Sequence, residues 1–404
     1  MILPVRICFT LYGMCMAFLF GCLTVSGASR AQALNAASQA SEDILYVTNR
    51  ATVILENGAS TYSSDRSHSL AFGSVQVVGA DVTSSVMTEP KEIGRFPSTP
   101  YALEKISDHY VRSNVIISDH KKARMSFQHE LEDRIRLSSR KEVVVFIHGY
   151  NNSFDDAVKS AAQLCNDLGV NEFVCIAFTW PAGGTKGVLF GYNVDRESGE
   201  FSVPDLRKTF RMIADTKSVG KVHVVAHSRG SDVLASAAQQ LAIEAYSQRE
   251  SLRKRFKLEN IILAAPDMDI DVASTRVRAI VSDPDLPYGR EVNYRAPFYP
   301  GQIQITVYTS TNDKALDASK ELFGSEFRLG QVVKENHDKA DNDFGGAAEF
   351  ISVSDESDMF GHGYFLSNLA VRRDIVSIIR DHTRVGNEGR ALLQVKERFW
   401  QLVQ

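Results

Sequence analysis

From residue 43 onward, short uninterrupted apolar runs alternate with longer stretches in which apolar residues recur every three or four positions. The short runs are Glu142–Ile147, Glu172–Thr179, Lys221–Ala226, Asn260–Ala265, Gln304–Thr309 and Glu349–Val353. A run without polar alternation predicts a strand buried on both faces of a parallel sheet. Asp43–Asn49 and Leu70–Val78 add two earlier β-rich segments. Helical spacing marks Phe127–Leu137, Ser153–Leu168, Pro204–Asp215, Ser231–Ala245 and Tyr364–Arg380, with Pro204 suited to a first turn. Strand–helix alternation of this kind predicts an α/β fold, a mostly parallel doubly wound sheet whose sites lie beyond the carboxyl ends of the strands. Leu392, Val395, Phe399, Trp400 and Val403 keep helical spacing and predict a C-terminal amphipathic helix packed on the core.

The N-terminus has a different pattern. Ile7–Val25 is apolar or weakly polar and uncharged, preceded by Arg6 and followed by small residues from Ser26 to Ser29. This is the form of an export signal or a short membrane anchor. Ala31-Gln32-Ala33 offers a cleavage site, while Leu19-Phe20-Gly21-Cys22 is lipobox-like and would make Cys22 a lipidated first residue. Either route exports the rest of the chain to the periplasm, soluble or held at a membrane through the N-terminal segment. The organisation expected is signal or anchor over 1–27, linker over 28–42, β-rich extension over 43–140, catalytic α/β core over 141–382 and amphipathic segment over 383–404.

Composition narrows the function classes. Lys plus Arg is 45 and Asp plus Glu is 49, so the formal charge is 45 − 49 = −4, which argues against a dedicated nucleic-acid binder. No metal-type Cys or His spacing and no phosphate-binding Gly-rich loop is present, so no cofactor or metal is expected. Three of the five cysteines (Cys8, Cys15 and Cys22) lie in the export segment; an oxidising compartment would permit Cys165 and Cys175 to pair, but spacing alone leaves this open.

Candidate chemistry begins where the third buried run meets Ala226-His227-Ser228-Arg229-Gly230 and then a helix. A serine at the apex of a strand–turn–helix needs small residues two positions away on either side, as in a nucleophile elbow; Ala226 and Gly230 satisfy this. The competing reading is a Ser that caps the following helix. His227 adjoins the serine and is poorly placed to act as its base, because neighbouring residues on such a turn point apart. His223, inside the strand, is expected to be a packed core residue. Phe146-Ile147-His148-Gly149-Tyr150-Asn151 closes the first buried run, and Gly149 allows close backbone approach. Of the later histidines, His337 lies in a charged stretch and His382 at a helix end. His362, flanked by Gly361 and Gly363 before the last helix, is the candidate base. Two carboxylates, Asp313 and Asp267, each follow a strand and both remain candidates for the acid.

Together these residues resemble a bacterial, exported, lipase- or esterase-like branch of the α/β-hydrolase superfamily, with further likeness at Leu45–Arg50, Leu70–Gly73, Phe178–Pro181, Ala264–Asp267 and Asn312–Leu316. The resemblance runs from about residue 43 to residue 380. It implies Ser228 as nucleophile, His362 as base and Asp313 where the family's acid most often stands, with Asp267 as the alternative used by some lipases. It also implies an oxyanion hole formed by the backbone N–H groups of Tyr150 and Arg229, with His148, Gly149, Ala226, His227 and Gly230 in support. The expected substrate is a small-molecule or lipid ester. A thioesterase or peptidase using the same triad, and a non-catalytic envelope protein that keeps the fold, are the alternatives. The aromatic residues after Trp180 would line an acyl pocket, and 272–303 and 318–348 read as insertions at the site edge able to form a lid.

Overall fold

The computed structural model describes residues 41–79, 82–184, 188–282, 303–325, 327–354 and 361–403. The export segment with Cys22 and the linker to residue 40 lie outside the described residues. The strands are β1 Ser41–Ile54, β2 Ser60–Val78, β3 Val86–Met87, β4 Lys91–Arg95, β5 Leu103–Ile106, β6 His109–Arg112, β7 Glu142–Ile147, β8 Val174–Thr179, β9 Lys221–His227, β10 Leu258–Ala264, β11 Gln304–Thr309, β12 Ala348–Ser352, β13 Leu392–Lys396 and β14 Phe399–Leu402. A 12-stranded sheet runs in the order β13-β14-β12-β11-β10-β9-β7-β8-β1-β2-β3, with β4 also paired to β2. From β1 through β8, β7, β9, β10, β11 and β12 to β14, every neighbouring pair is parallel.

The apolar runs explain the two cores. Successive side chains of a strand point to opposite faces. Val143, Val145 and Ile147 therefore enter one core with Leu206, Phe210, Leu234 and Leu241. Val144 and Phe146 enter the other with Val158, Ala161, Ile375 and Ile379. The chain leaves β7 for β8 through the helix Phe154–Leu168, then crosses back to β9, on the other side of β7, through the helix Val188–Asp215. That reversal opens a crevice at the carboxyl ends of β7 and β9.

The expected N-terminal β-rich segment is present, and its β1 runs parallel to β8 as a strand of the central sheet. Three expectations need correction. The helix expected from Phe127 begins earlier, at Asn114, where Ser113 caps it by accepting from Ile116 N–H. Its buried residues are Ala123, Phe127, Leu131 and Ile135, so apolar spacing marks only its second half. Pro204 lies inside the helix Val188–Asp215 rather than at its start. Gly191, Gly199 and Pro204 lower intrinsic propensity, and the buried Tyr192, Val203, Leu206 and Phe210 outweigh them. The C-terminal segment is a β-hairpin, not a helix. Glu397 and Arg398, the latter at φ 66°, turn the chain, and β14 extends the open edge of β12 while burying Phe399 and Trp400.

Cys165 and Cys175 form a disulfide joining the helix Phe154–Leu168 to β8. The bond closes a loop of sequence separation 10. By loop-closure entropy, the double variant Cys165→Ala/Cys175→Ala is expected to lose about 2–3 kcal/mol in a denaturant titration. Reductant is expected to lower the wild-type midpoint and leave the variant unchanged. No helix among the described residues is long and apolar enough to cross a membrane.

Candidate active site

β9 delivers Ser228 into the turn before the helix Gly230–Ser247. Ser228 adopts φ 51°, a left-handed conformation that costs energy for a residue with a Cβ. The surrounding chain fixes it there. Ser228 N–H donates to the Ala264 carbonyl at 2.9 Å, and its own carbonyl accepts from Ser231 N–H at 3.0 Å and Asp267 N–H at 3.2 Å. The end of β7 presses against the same turn. A Cβ on Gly230 would lie 2.3 Å from the His148 carbonyl oxygen, and one on Gly149 would lie 2.7 Å from Ser228 Cβ. Ala226 keeps its methyl in the core beneath. Ser228 does not cap the helix; Arg229 holds the cap position and no side-chain oxygen caps it.

The chain after β12 carries His362. Gly361 has φ 64°, and a Cβ there would meet the Asn312 carbonyl oxygen at 2.6 Å, so this loop lies directly on the turn after β11. That contact brings His362 Nδ1 to 2.7 Å from Asp313 Oδ2. The other Asp313 oxygen accepts Leu316 N–H at 3.0 Å and caps the helix Lys314–Phe323. Asp313 is fully buried. Burial raises its carboxyl pKa, opposed by the His362 hydrogen bond and charge and by Leu316 N–H. His227 Nε2 donates to the His362 carbonyl at 3.2 Å, and the two rings lie 4.9 Å apart. Loss of water, then the His362 charge, pushes His227 well below the ordinary histidine range, so it stays neutral. The strand end carrying Ser228 and the loop carrying His362 are thereby tied together.

Asp267 is not brought to His362. It is buried between Tyr192, Ser319 (2.7 Å) and Arg328 (3.2 Å), and it links the turn after β10 to the helix Lys314–Phe323.

The turn after β7 is rigidly held, partly by residues that local sequence pattern does not mark. His148 is fully buried and stacked on Trp180 at 4.9 Å. Its Nδ1 donates to the Gly149 carbonyl at 2.9 Å, and Nε2 accepts Trp180 N–H at 3.0 Å. Burial, then the Arg50 charge, pushes its pKa down to about 3. Trp180 anchors this turn, since its indole N–H donates to the His148 carbonyl at 2.8 Å.

Arg50 is buried and donates to the carbonyls of Asn152 (2.7 Å), Ala182 (3.1 Å) and Ser63 (3.2 Å). Asp195 accepts Asn151 N–H at 2.9 Å and Gly183 N–H at 3.2 Å. Gly149 N–H donates to Asn152 Oδ1 at 3.2 Å. Among the described residues, the backbone N–H groups of Tyr150 and Arg229 have no hydrogen-bond partner.

A parallel sheet with a serine on a strained strand–helix turn at its switch point, and a histidine–carboxylate pair on the following loops, defines an α/β hydrolase. The chain belongs to the family described as "Alpha/beta hydrolase of unknown function (DUF900)", which matches residues 123–381. It is 26% identical over 221 residues to the uncharacterized protein alr1448 of Nostoc sp.. That match covers 44% of this chain and 54% of the relative, so the chain spans about half the relative's length.

Among solved structures it is similar to a lipase-esterase related protein from Clostridium acetobutylicum, at 9% identity and a TM-score of 0.29, covering 61% of this chain and 96% of that one. It is also similar to a mutant of the rice cell wall degrading esterase LipA from Xanthomonas oryzae, at 11% identity and a TM-score of 0.36, covering 88% of this chain and 96% of that one. At such scores the family match carries the assignment.

Proposed function

We propose that this hydrolase is an exported serine esterase that cleaves carboxylic esters through an acyl-enzyme. The observation that carries the reading is the Asp313–His362 hydrogen bond on loops tied to the strained Ser228 turn. With Nδ1 donating to Asp313, His362 offers Nε2 as the base. It takes the Ser228 hydroxyl proton as Oγ attacks the ester carbonyl. Asp313 orients the ring and stabilises its charged form. The carbonyl oxygen becomes an oxyanion that accepts from the N–H groups of Tyr150 and Arg229. His362 then protonates the departing alcohol, and water attacks the acyl-enzyme by the same route to release the acid and restore Ser228. The apolar N-terminal segment supports export, with Cys22 as the lipid attachment site if that segment is processed as a lipoprotein signal.

The test is turnover of 4-nitrophenyl esters of graded acyl length by the purified protein. Saturable hydrolysis is the expected result; no turnover at any length, together with no labelling by a fluorophosphonate, would favour a binding protein.

Asp195 is a positioning residue in this scheme, because it holds the turn that presents Tyr150 N–H. Asp195→Ala is expected to lower kcat by about tenfold or more with KM little changed, since a misplaced oxyanion donor is felt in the transition state. Equal loss of soluble folded protein and of activity would assign Asp195 a purely structural role.

A further inference from the structure

Two residues after His362, the side chain of Tyr364 is fully buried. Its hydroxyl donates to the Tyr308 carbonyl at 2.9 Å and accepts Ala265 N–H at 3.1 Å. A buried hydroxyl is normally hydrogen-bonded, so the bonds themselves are unremarkable. Their partners are not, because they stand at the carboxyl ends of β11 and β10.

Ala265 lies at the centre of the clasp on Ser228. Ala264, just before it, accepts Ser228 N–H at 2.9 Å. Asp267, two residues on, donates its N–H to the Ser228 carbonyl at 3.2 Å. Ala265 itself adopts φ 47°, a left-handed conformation that costs energy for a residue with a Cβ. Tyr308 lies on β11, the strand that leads to Asp313. One phenol thus joins the segment carrying His362 to the turn that clasps Ser228 and to the strand that delivers Asp313.

The backbone does not need the phenol for its own pairing. Ala265 N–H also donates to the Tyr308 carbonyl at 3.2 Å, so both groups keep a partner without it. What the hydroxyl adds is the attachment of the His362 segment. His227 holds that segment at two other points, through its bond to the His362 carbonyl and its stack on Phe365 at 4.3 Å. Those ties run to β9, whereas the Tyr364 bonds run to β10 and β11.

We propose that Tyr364 is a positioning residue whose hydroxyl sets the His362 ring between Asp313 and Ser228, a role that rests on the triad reading. Proton transfer requires the base within hydrogen-bond reach, and small displacements are felt steeply in the rate.

Tyr364→Phe removes one oxygen and keeps the ring. It is expected to lower kcat for 4-nitrophenyl butyrate about tenfold, with KM and the thermal midpoint little changed. A double-mutant cycle on the rate of Ser228 labelling by a fluorophosphonate identifies the residue it acts through. Tyr364→Phe is expected to slow labelling about tenfold when His362 is present and to have no effect in His362→Ala. Equal slowing in both backgrounds, or an unchanged rate in the single variant, overturns the positioning role and leaves the esterase standing. Proton NMR supplies a readout that needs no turnover. The His362 Nδ1–H held by Asp313 is expected as a downfield line in the wild type, absent in His362→Ala and broadened by exchange in Tyr364→Phe. A line unchanged by Tyr364→Phe overturns the positioning role. Broadening in a protein that neither turns over ester nor labels overturns the esterase reading and keeps the role of Tyr364.

Discussion

Replacing Ser228 with Ala is expected to lower ester kcat/KM by about 10⁴- to 10⁶-fold, with the thermal midpoint almost unchanged. The size follows from the chemistry assigned to Oγ. Without it no acyl-enzyme forms, and only the oxyanion donors and binding remain to accelerate attack by water. The small effect on stability follows from the surroundings, because the hydrogen bonds that fix the turn use the backbone N–H and carbonyl of residue 228, and Ala keeps both. A variant that retained more than about a tenth of the activity would remove Ser228 from the reaction.

The second large effect separates the two carboxylates that the sequence leaves open. Asp313→Asn is expected to reduce kcat by about 10⁴-fold while the protein stays folded. An amide can still accept Leu316 N–H, but it can also donate toward Nδ1 and so favour the wrong imidazole tautomer. Asp267→Asn is expected to do the reverse. Asp267 sits in a buried network with Tyr192, Ser319 and Arg328, so the change leaves the Arg328 charge uncompensated and costs about 3–5 kcal/mol. Activity per folded molecule should change far less. Steady-state kinetics combined with denaturant titration of both variants reads the two effects apart; the opposite pattern would make Asp267 the triad acid.

How much of this was legible in the sequence depends on whether the signal is local. The buried strands are legible because a sheet covered on both faces demands uninterrupted apolar runs, and β7 and β11 begin and end where the pattern places them. Ser228 is legible because its turn needs small residues at fixed offsets. The first half of the helix Val188–Asp215 is not, because its glycines and proline oppose the packing that stabilises it. Phe399 and Trp400 fit a helical stripe and a strand equally well, and only the open edge of β12 decides between them. The choice between Asp313 and Asp267 depends on a contact spanning 49 residues, made when Gly361 closes against Asn312. Arg50 and Asp195 leave no local signature of their role, because their bonds go to backbone groups supplied by distant segments.

The central claim is that Ser228 is the nucleophile of this hydrolase. The most direct measurement is to treat the purified full chain with a fluorophosphonate, digest it and map the adduct by mass spectrometry. A single adduct on Ser228 is expected, lost in Ser228→Ala and formed far more slowly in His362→Ala. An adduct on another residue, or ester turnover that persists with Ser228 unlabelled, would contradict it.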